Sequence, residues 1–142
     1  MSKSARDGWL ADVSWAGGYV FLGTDLNGHP VVYDADDETP KGISPMRALL
    51  TSLGACSGMD VVAILGKRKQ KLESLRVFLK GDRPEHGYPK PWTTIHVEYE
   101  LSGQLETKYV EEAIGESMAK FCSVAATLRP GVKITHSYRI VR

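Results

Sequence analysis

The first part of the chain carries short apolar runs that are separated by turn-forming residues. Segment 9–15 precedes a glycine pair, the apolar run 19–22 follows it, and a third run occupies 30–33. Asn27-Gly28 lies between the second and third runs and suits a tight hairpin turn, because both residues accept a positive φ. The pattern therefore predicts three strands that are joined by antiparallel hairpins and followed by an acidic loop.

Helical spacing begins after this loop. Ser44 is a suitable N-cap, and Pro45 is a suitable first helical residue because the N–H that proline lacks would have no partner there. Apolar side chains recur at helical spacing as far as Cys56, and Asp60 is the only polar residue in segment 59–65. A helix that is apolar on nearly every side must be covered on most of its surface, and a partner subunit is the simplest source of that cover.

Strand periodicity returns after this helix. Leu75, Val77 and Leu79 alternate with polar residues, segment 92–101 alternates strictly, and segment 132–141 alternates again near the C-terminus. A strictly alternating strand is typical of a sheet with one buried and one exposed face. These segments predict two strands after the long helix and one further strand at the end of the chain.

A second helical pattern, from about residue 106 to residue 121, lies between the last two strands, and a short helical piece at 123–128 follows it. The predicted order is three strands, a long helix, two strands, a helix and a strand. This order is typical of an α+β fold with antiparallel sheets and a long buried central helix. No linker or repeat divides the chain, so we expect residues 1–142 to form a single domain.

Composition favours a soluble globular protein. Of the 142 residues, 42% are hydrophobic and 25% are charged, and the net charge is +1. This balance gives no general attraction to nucleic acid or to anionic lipid. No uninterrupted apolar run approaches the roughly 20 residues of a membrane span, and residues 1–8 lack the apolar core of a secretory signal. We therefore expect a cytoplasmic protein with neither a nucleic-acid nor a membrane partner.

The chemistry of the two cysteines, Cys56 and Cys122, decides between functions. The sequence contains no C-x-x-C pair and no close-spaced set of histidines, so no metal or other cofactor is expected. Free cysteines are commonly small hydrophobic core residues. However, Cys56 lies among small residues on the long helix, and Cys122 lies at a helix junction where backbone N–H groups stabilise a thiolate. Asp60, one turn after Cys56, disfavours a thiolate on the same face.

Two segments resemble the paired cysteine motifs of the OsmC/Ohr family, which comprises osmotically inducible and organic-hydroperoxide-resistance proteins. The first is SPMRALLTSLGACSGMDVV at residues 44–62, which contains Cys56, and the second is FCSVAATL at residues 121–128, which contains Cys122. The resemblance covers roughly residues 18–142, and the predicted order of elements fits the family fold. It implies an intertwined homodimer whose long helices are buried centrally, with two active sites at the subunit interface.

The resemblance also implies thiol-dependent reduction of organic hydroperoxides, with Cys56 as the peroxidatic and Cys122 as the resolving cysteine. In this chemistry a thiolate attacks the O–O bond, releases an alcohol and becomes a sulfenic acid. The second thiol then condenses with the sulfenic acid to a disulfide, which an external dithiol reduces. The candidate pocket residues for the hydroperoxide are Phe21, Met46, Met59 and Asp60.

The chain departs from the family pattern beside the motif proline. Family peroxidases pair the reactive cysteine with a glutamate just after this proline and with an arginine from the N-terminal region. Here Met46 and Arg47 follow Pro45, and segment 19–41 contains no arginine. His29 and Arg47 are therefore the candidate supporting residues, and the resemblance is to a divergent OsmC-like branch.

Three functions stay open on the sequence alone. Retention of both cysteines favours a thiol peroxidase, which is our working hypothesis. The absent glutamate and arginine favour a non-catalytic homodimer that binds a small apolar or thiol-containing molecule at its interface. They equally favour a structural dimer whose cysteines are inert core residues.

Overall fold

A computed structural model describes residues 8–142, which fall into two compact units on either side of the Leu49–Leu50 bond. The helices and strands appear in the predicted order. They are β1 (Ala11–Trp15), β2 (Phe21–Asp25), β3 (Pro30–Tyr33), α1 (Pro45–Lys67), β4 (Lys71–Asp82), β5 (Thr94–Gln104), α2 (Thr107–Glu116), a π-helical turn (Ser117–Phe121), α3 (Ser123–Leu128) and β6 (Lys133–Ile140). The α+β prediction is therefore confirmed. The prediction that residues 1–8 lack the apolar core of a secretory signal concerns residues that lie almost entirely outside the described range.

The first unit is a three-stranded antiparallel sheet with β2 in the centre, as the hairpin pattern predicts. Gly28 has a φ of 82° in the turn between β2 and β3, a value that only glycine adopts without strain. The acidic loop is held by Asp34, whose carboxylate accepts the backbone N–H groups of Asp36 and Lys41, both at 2.9 Å. These hydrogen bonds, the one from Lys41 above all, hold the pKa of Asp34 below its ordinary value.

The start of α1 follows the predicted capping pattern. Pro45 is the first helical residue, and the Ser44 hydroxyl accepts the backbone N–H of Arg47 at 3.3 Å. One face of the helix is buried, and the opposite face is exposed, with Met59 71% and Val62 51% exposed. Burial on nearly every side, as the sequence predicts, is therefore not found within the described part of one chain.

The length and composition of α1 bear on the expectation of no membrane partner, which stays a prediction. This helix has 23 residues and a mean hydropathy of 1.7 in its most apolar part, so by length and composition it is able to cross a membrane. The residues Gly54, Ser57 and Gly58 interrupt the apolar run in the sequence but lower the mean hydropathy little. One third (33%) of the apolar stretch is buried within the chain, and a core helix of a soluble protein passes the same test.

The second unit is built on a three-stranded sheet with β5 in the centre. Its inward-facing side chains Ile95, Val97, Tyr99 and Leu101 are at most 1% exposed and join the buried faces of α1 and α2 in one core. β4 and β5 pair antiparallel, but β6 pairs parallel to β5, so the prediction of purely antiparallel sheets is wrong. The chain between β5 and β6 crosses over through two helices and therefore brings β6 back in the direction of β5.

A glycine in β5 is required by a close backbone approach. Gly103 has a φ of 133°, and a Cβ added there would lie 2.0 Å from the carbonyl oxygen of Lys71. We expect Gly103→Ala to lower the free energy of unfolding by about 2 kcal/mol, because the backbone must shift to admit the methyl group. Urea denaturation measures this change.

Gly115→Ala in α2 is the matched control, because no atom lies within 4 Å of its added Cβ. It should leave stability unchanged or raise it by up to about 1 kcal/mol through helix propensity. Equal unfolding free energies for the two variants would contradict the strain argument.

Candidate functional site

The second unit brings the two cysteines into contact. Cys56 lies half-buried on α1, and Cys122 lies between the π-helical turn and α3 with 2% of its surface exposed. Both are free thiols, and Cys56 lies close enough to Cys122 to raise the pKa of the Cys122 thiol. The sequence suggested that they could meet, and the structure places them side by side.

The π-helical turn determines where Cys122 lies. The N–H of Cys122 donates to the carbonyl oxygen of Ser117, five residues earlier, at 2.8 Å. This wider turn ends α2 and leaves Cys122 extended, with a φ of −73° and a ψ of 104°, as the N-cap of α3. Its sulfur accepts the N–H of Ala125 at 3.4 Å. π-Helical turns inside α-helices are frequent at functional sites.

Burial dominates the acidity of Cys122. Desolvation raises the pKa of its thiol to about 11, and the neighbouring Cys56 thiol is a smaller influence in the same direction. The N–H of Ala125 acts in the opposite direction but is the weaker influence. The N–H groups of Ala125 and Val124 at the helix junction do favour a thiolate at Cys122, as expected, but the loss of water outweighs them.

A chain of hydrogen bonds runs through the core next to the cysteines. The hydroxyl of Ser117 donates to the Asp60 carboxylate at 2.8 Å and lies 2.7 Å from the hydroxyl of Ser57. The Ser57 hydroxyl in turn lies 2.5 Å from the hydroxyl of Tyr99. Ser57, Ser117 and Tyr99 are fully buried, and we call them the hydroxyl chain.

The hydroxyl chain is close enough to Cys122 to respond to its charge. Burial is the main cause that raises the pKa of Tyr99 to about 12; the hydrogen bond to Ser57 acts in the opposite direction, and negative charge on Cys122 and on Asp60 contributes to the rise. The sequence analysis predicted a helix over Ser117 and a strand over Tyr99 but no role for either side chain. The sequence signal for such a residue is a polar side chain at a position where the hydrophobic periodicity predicts a buried apolar one.

Asp60 takes part in this chain instead of acting as an isolated charge beside Cys56. It is half-buried on α1, one turn beyond Cys56, and its carboxylate accepts the Ser117 hydroxyl. Within residues 8–142, no group of three or more His, Cys, Asp and Glu side chains is arranged to hold a metal ion.

An apolar groove of about 620 Å³ lies along α1 and β4. The candidate pocket residue Met59 lines it, together with small residues of α1 and aliphatic residues of β4. Its lining includes Gly54, Ala55, Gly58, Val62, Leu75, Val77 and Leu79. The groove has the size and the apolar lining that are typical of small-molecule sites.

The other predicted site residues belong to the first unit. Phe21 is 39% exposed on β2, Met46 is half-buried in the first turn of α1, and Arg47 is exposed there. His29 is bound within its own hairpin, where its Nδ1 lies 2.8 Å from a carboxylate oxygen of Asp25. That hydrogen bond is the main reason why the pKa of Asp25 falls to about 2. The supporting roles of His29 and Arg47 stay predictions.

Comparison with known proteins identifies the family. The model of the family described as OsmC-like protein matches residues 36–137. The chain belongs to the OsmC-like family. It is 38% identical to protein YhfA of Escherichia coli K12 over 134 residues, which cover 92% of this chain and 97% of the relative.

Solved structures agree with this assignment. A hypothetical protein from Aquifex aeolicus VF5 is 33% identical, with a TM-score of 0.79 over 93% of this chain and 96% of its own. An organic hydroperoxide resistance protein OsmC from Legionella pneumophila has a TM-score of 0.67 over 91% of this chain and 94% of its own. At 14% identity, the likeness to the Legionella protein shows the fold alone.

The different burial of the two thiols predicts selective alkylation of this OsmC-like protein. With a pKa of about 11, Cys122 carries roughly a hundredfold less thiolate at pH 7 than an ordinary thiol. We expect iodoacetamide to modify Cys56 and to spare Cys122 at pH 7, with the Cys122 rate rising as the pH approaches 11. Peptide mass spectrometry measures both rates.

Denatured protein is the control, because both cysteines should react there at similar rates. Equal labelling of the two cysteines in the native protein at pH 7 would show that Cys122 is neither shielded nor weakly acidic.

Proposed function

We propose that the chain is a cytoplasmic OsmC-like thiol peroxidase that reduces organic hydroperoxides through Cys56 and Cys122. The observation that carries this proposal is the proximity of the two thiols, which is expressed in the effect of Cys56 on the pKa of Cys122. Two unrelated core cysteines have no reason to meet, whereas a two-cysteine peroxidase requires the second sulfur within reach of the first. Family membership supports the same class of redox chemistry.

Burial assigns different roles to the two sulfur atoms. Cys56 is the more exposed, and Cys122 keeps its proton at neutral pH because its pKa is about 11. In the first step the Cys56 thiolate attacks one oxygen of the hydroperoxide and the O–O bond breaks. The alkoxide leaves and takes a proton to become the alcohol, while Cys56 becomes a sulfenic acid.

Cys122 completes the cycle. Its sulfur attacks the Cys56 sulfenic acid, the S–O bond breaks, and hydroxide leaves with the Cys122 proton as water. The product is a Cys56–Cys122 disulfide, and an external dithiol supplies the two electrons and two protons that restore both thiols. An apolar groove with Met59 in its wall runs along α1, the helix that carries Cys56, and supports an alkyl hydroperoxide over hydrogen peroxide as the substrate; neither cysteine lines this groove. Phe21, Met46, His29 and Arg47 remain candidate contributors from the first unit.

The exposed face of α1 supports a homodimer. Met59 and Val62 are more than half exposed on a helix that is apolar along its length, and Ala55 and Ala63 lie beside them. Exposed apolar surface of this kind marks an interaction site in most proteins. A second copy of the chain is the partner that the family resemblance implies, and it would give α1 the burial that one protomer lacks.

The peroxidase proposal predicts stoichiometric loss of thiols. One equivalent of cumene hydroperoxide added to the reduced protein should consume both thiols and release one equivalent of the alcohol. Cys122→Ser should stop at a sulfenic acid that dimedone traps, and Cys56→Ser should consume no hydroperoxide. Thiol titration and mass spectrometry follow each species, and cumyl alcohol, which cannot oxidise a thiol, is the control.

Survival of both thiols would overturn the peroxidase proposal. In that case the apolar groove favours the second function, a non-catalytic dimer that binds a small apolar or thiol-containing molecule. A bound ligand raises the melting temperature by mass action, so a rise with such a ligand would distinguish this function from a purely structural dimer.

The dimer proposal predicts that a charge on the exposed face of α1 favours the monomer. Val62→Glu should raise the dimer dissociation constant at least about tenfold, because a buried unpaired carboxylate is strongly unfavourable. Sedimentation velocity across a concentration series measures this constant. Tyr88→Glu is the matched control, because Tyr88 is 89% exposed in a loop, and this variant should leave assembly unchanged. A monomeric wild-type protein would contradict the proposal.

A further inference from the structure

The hydroxyl chain joins a carboxylate to the two segments that carry the cysteines. Ser57 directly follows Cys56 on α1, and the carbonyl oxygen of Ser117 accepts the N–H of Cys122. Because the hydroxyls of Ser57 and Ser117 lie 2.7 Å apart, one hydrogen bond links the backbone around one cysteine to the backbone around the other. The two-cysteine mechanism above makes no use of this link.

The carboxylate sets the direction of every hydrogen in the chain. Ionised Asp60 only accepts, so the Ser117 hydroxyl donates to it. With its one hydrogen committed, Ser117 must accept from Ser57, and Ser57 must then accept from Tyr99. All three hydroxyl hydrogens therefore point along the chain toward Asp60, and none of them is left for a sulfur atom.

The chain is satisfied throughout, although it lies in an apolar core. In the described part of the protein, no buried side-chain oxygen or nitrogen lacks a hydrogen-bond partner. A buried hydroxyl that loses its partner loses about 1–3 kcal/mol, so a chain of three imposes one arrangement on the helices that carry it. Apolar residues at Ser57 and Ser117 would fill the core without imposing that arrangement.

We propose that Asp60 is a positioning residue for the thiol pair, acting through Ser117 and Ser57 to hold Cys56 and Cys122 at the separation that disulfide closure requires. Asp60 does not touch the reacting sulfur atoms. It anchors the Ser117 hydroxyl, which links the π-helical turn to α1. The response of the Tyr99 pKa to charge on both Asp60 and Cys122 supports this placement.

This inference rests on the proposed function only in taking Cys56 and Cys122 as the working pair, and its test uses no hydroperoxide. Oxidised dithiothreitol transfers its disulfide to the protein: two protein thiols lose two electrons and two protons, the S–S bond between Cys56 and Cys122 forms, and reduced dithiothreitol results. The equilibrium constant of this exchange measures how well the folded protein holds the two sulfur atoms together.

We expect Asp60→Asn and Ser117→Ala each to lower this constant about tenfold, because Asp60→Asn removes the charge that strengthens the hydrogen bond from Ser117 and Ser117→Ala removes that hydrogen bond. The double variant should lie no lower than Ser117→Ala alone, because Asp60 acts through Ser117. Substitution of a residue with only a general structural role would lower the melting temperature but would not show this shared, non-additive loss in the exchange constant.

Ser102→Ala is the matched control. Its hydroxyl lies 2.5 Å from that of Ser74 on the neighbouring strand, so the variant removes an exposed hydrogen bond between two serines outside the hydroxyl chain. It should leave the exchange constant unchanged. If Ser117→Ala does not fold, the nearly isosteric Asp60→Asn still decides the matter against the wild-type protein.

Three outcomes overturn the inference: an Asp60→Asn constant within twofold of the wild type, a hundredfold loss in the double variant, or a wild-type protein that forms no Cys56–Cys122 disulfide. A cumene hydroperoxide assay that consumes no thiol, combined with the expected exchange pattern, would reject the peroxidase proposal and retain the positioning role of Asp60.

Discussion

The backbone hydrogen bond from Cys122 to Ser117 is the constraint on which the candidate site depends. It widens one turn at the end of α2, stops the regular helix and leaves Cys122 extended before α3. A regular α-helix continuing through this point would place the Cys122 side chain on another face. The same Ser117 carries the hydroxyl that meets α1, so one residue positions both the turn and the helix on which Cys56 lies.

The contact between the two thiols is asymmetric. Cys56 is half-buried on a helix face, whereas Cys122 is enclosed, and desolvation keeps its pKa high. A protonated sulfur held beside a more exposed one suits a resolving cysteine, which must wait until its partner has been oxidised. The asymmetry arises from burial, and the backbone N–H groups of Val124 and Ala125 at the start of a short helix do not reverse it.

The chain keeps both family cysteines but has Met46 and Arg47 where family peroxidases carry a glutamate. In place of that carboxylate beside the motif proline, it has Asp60 one turn beyond Cys56, connected to the core through hydroxyl groups. We propose that this carboxylate acts on the support of the thiol pair and not on its sulfur atoms.

Local features of the sequence determined the secondary structure. Ser44 and Pro45 marked the start of α1, Asn27-Gly28 marked a hairpin, and strict alternation at 92–101 marked the central strand β5 together with its buried face. These features depend on neighbouring residues, because capping, turn geometry and side-chain alternation act over one to four positions. The family resemblance then identified the two cysteines as a pair.

Only the tertiary structure decided the parallel pairing of β6, the π-helical turn, the thiol contact and the hydroxyl chain. Each depends on residues that are distant in sequence, such as Ser57 with Ser117 and with Tyr99. Periodicity reports which face of an element is buried, but not which side chain of another element meets it there. The raised pKa of Cys122 could not be predicted from the sequence for the same reason. Desolvation depends on all the atoms that pack around the thiol and not only on its neighbours along the chain.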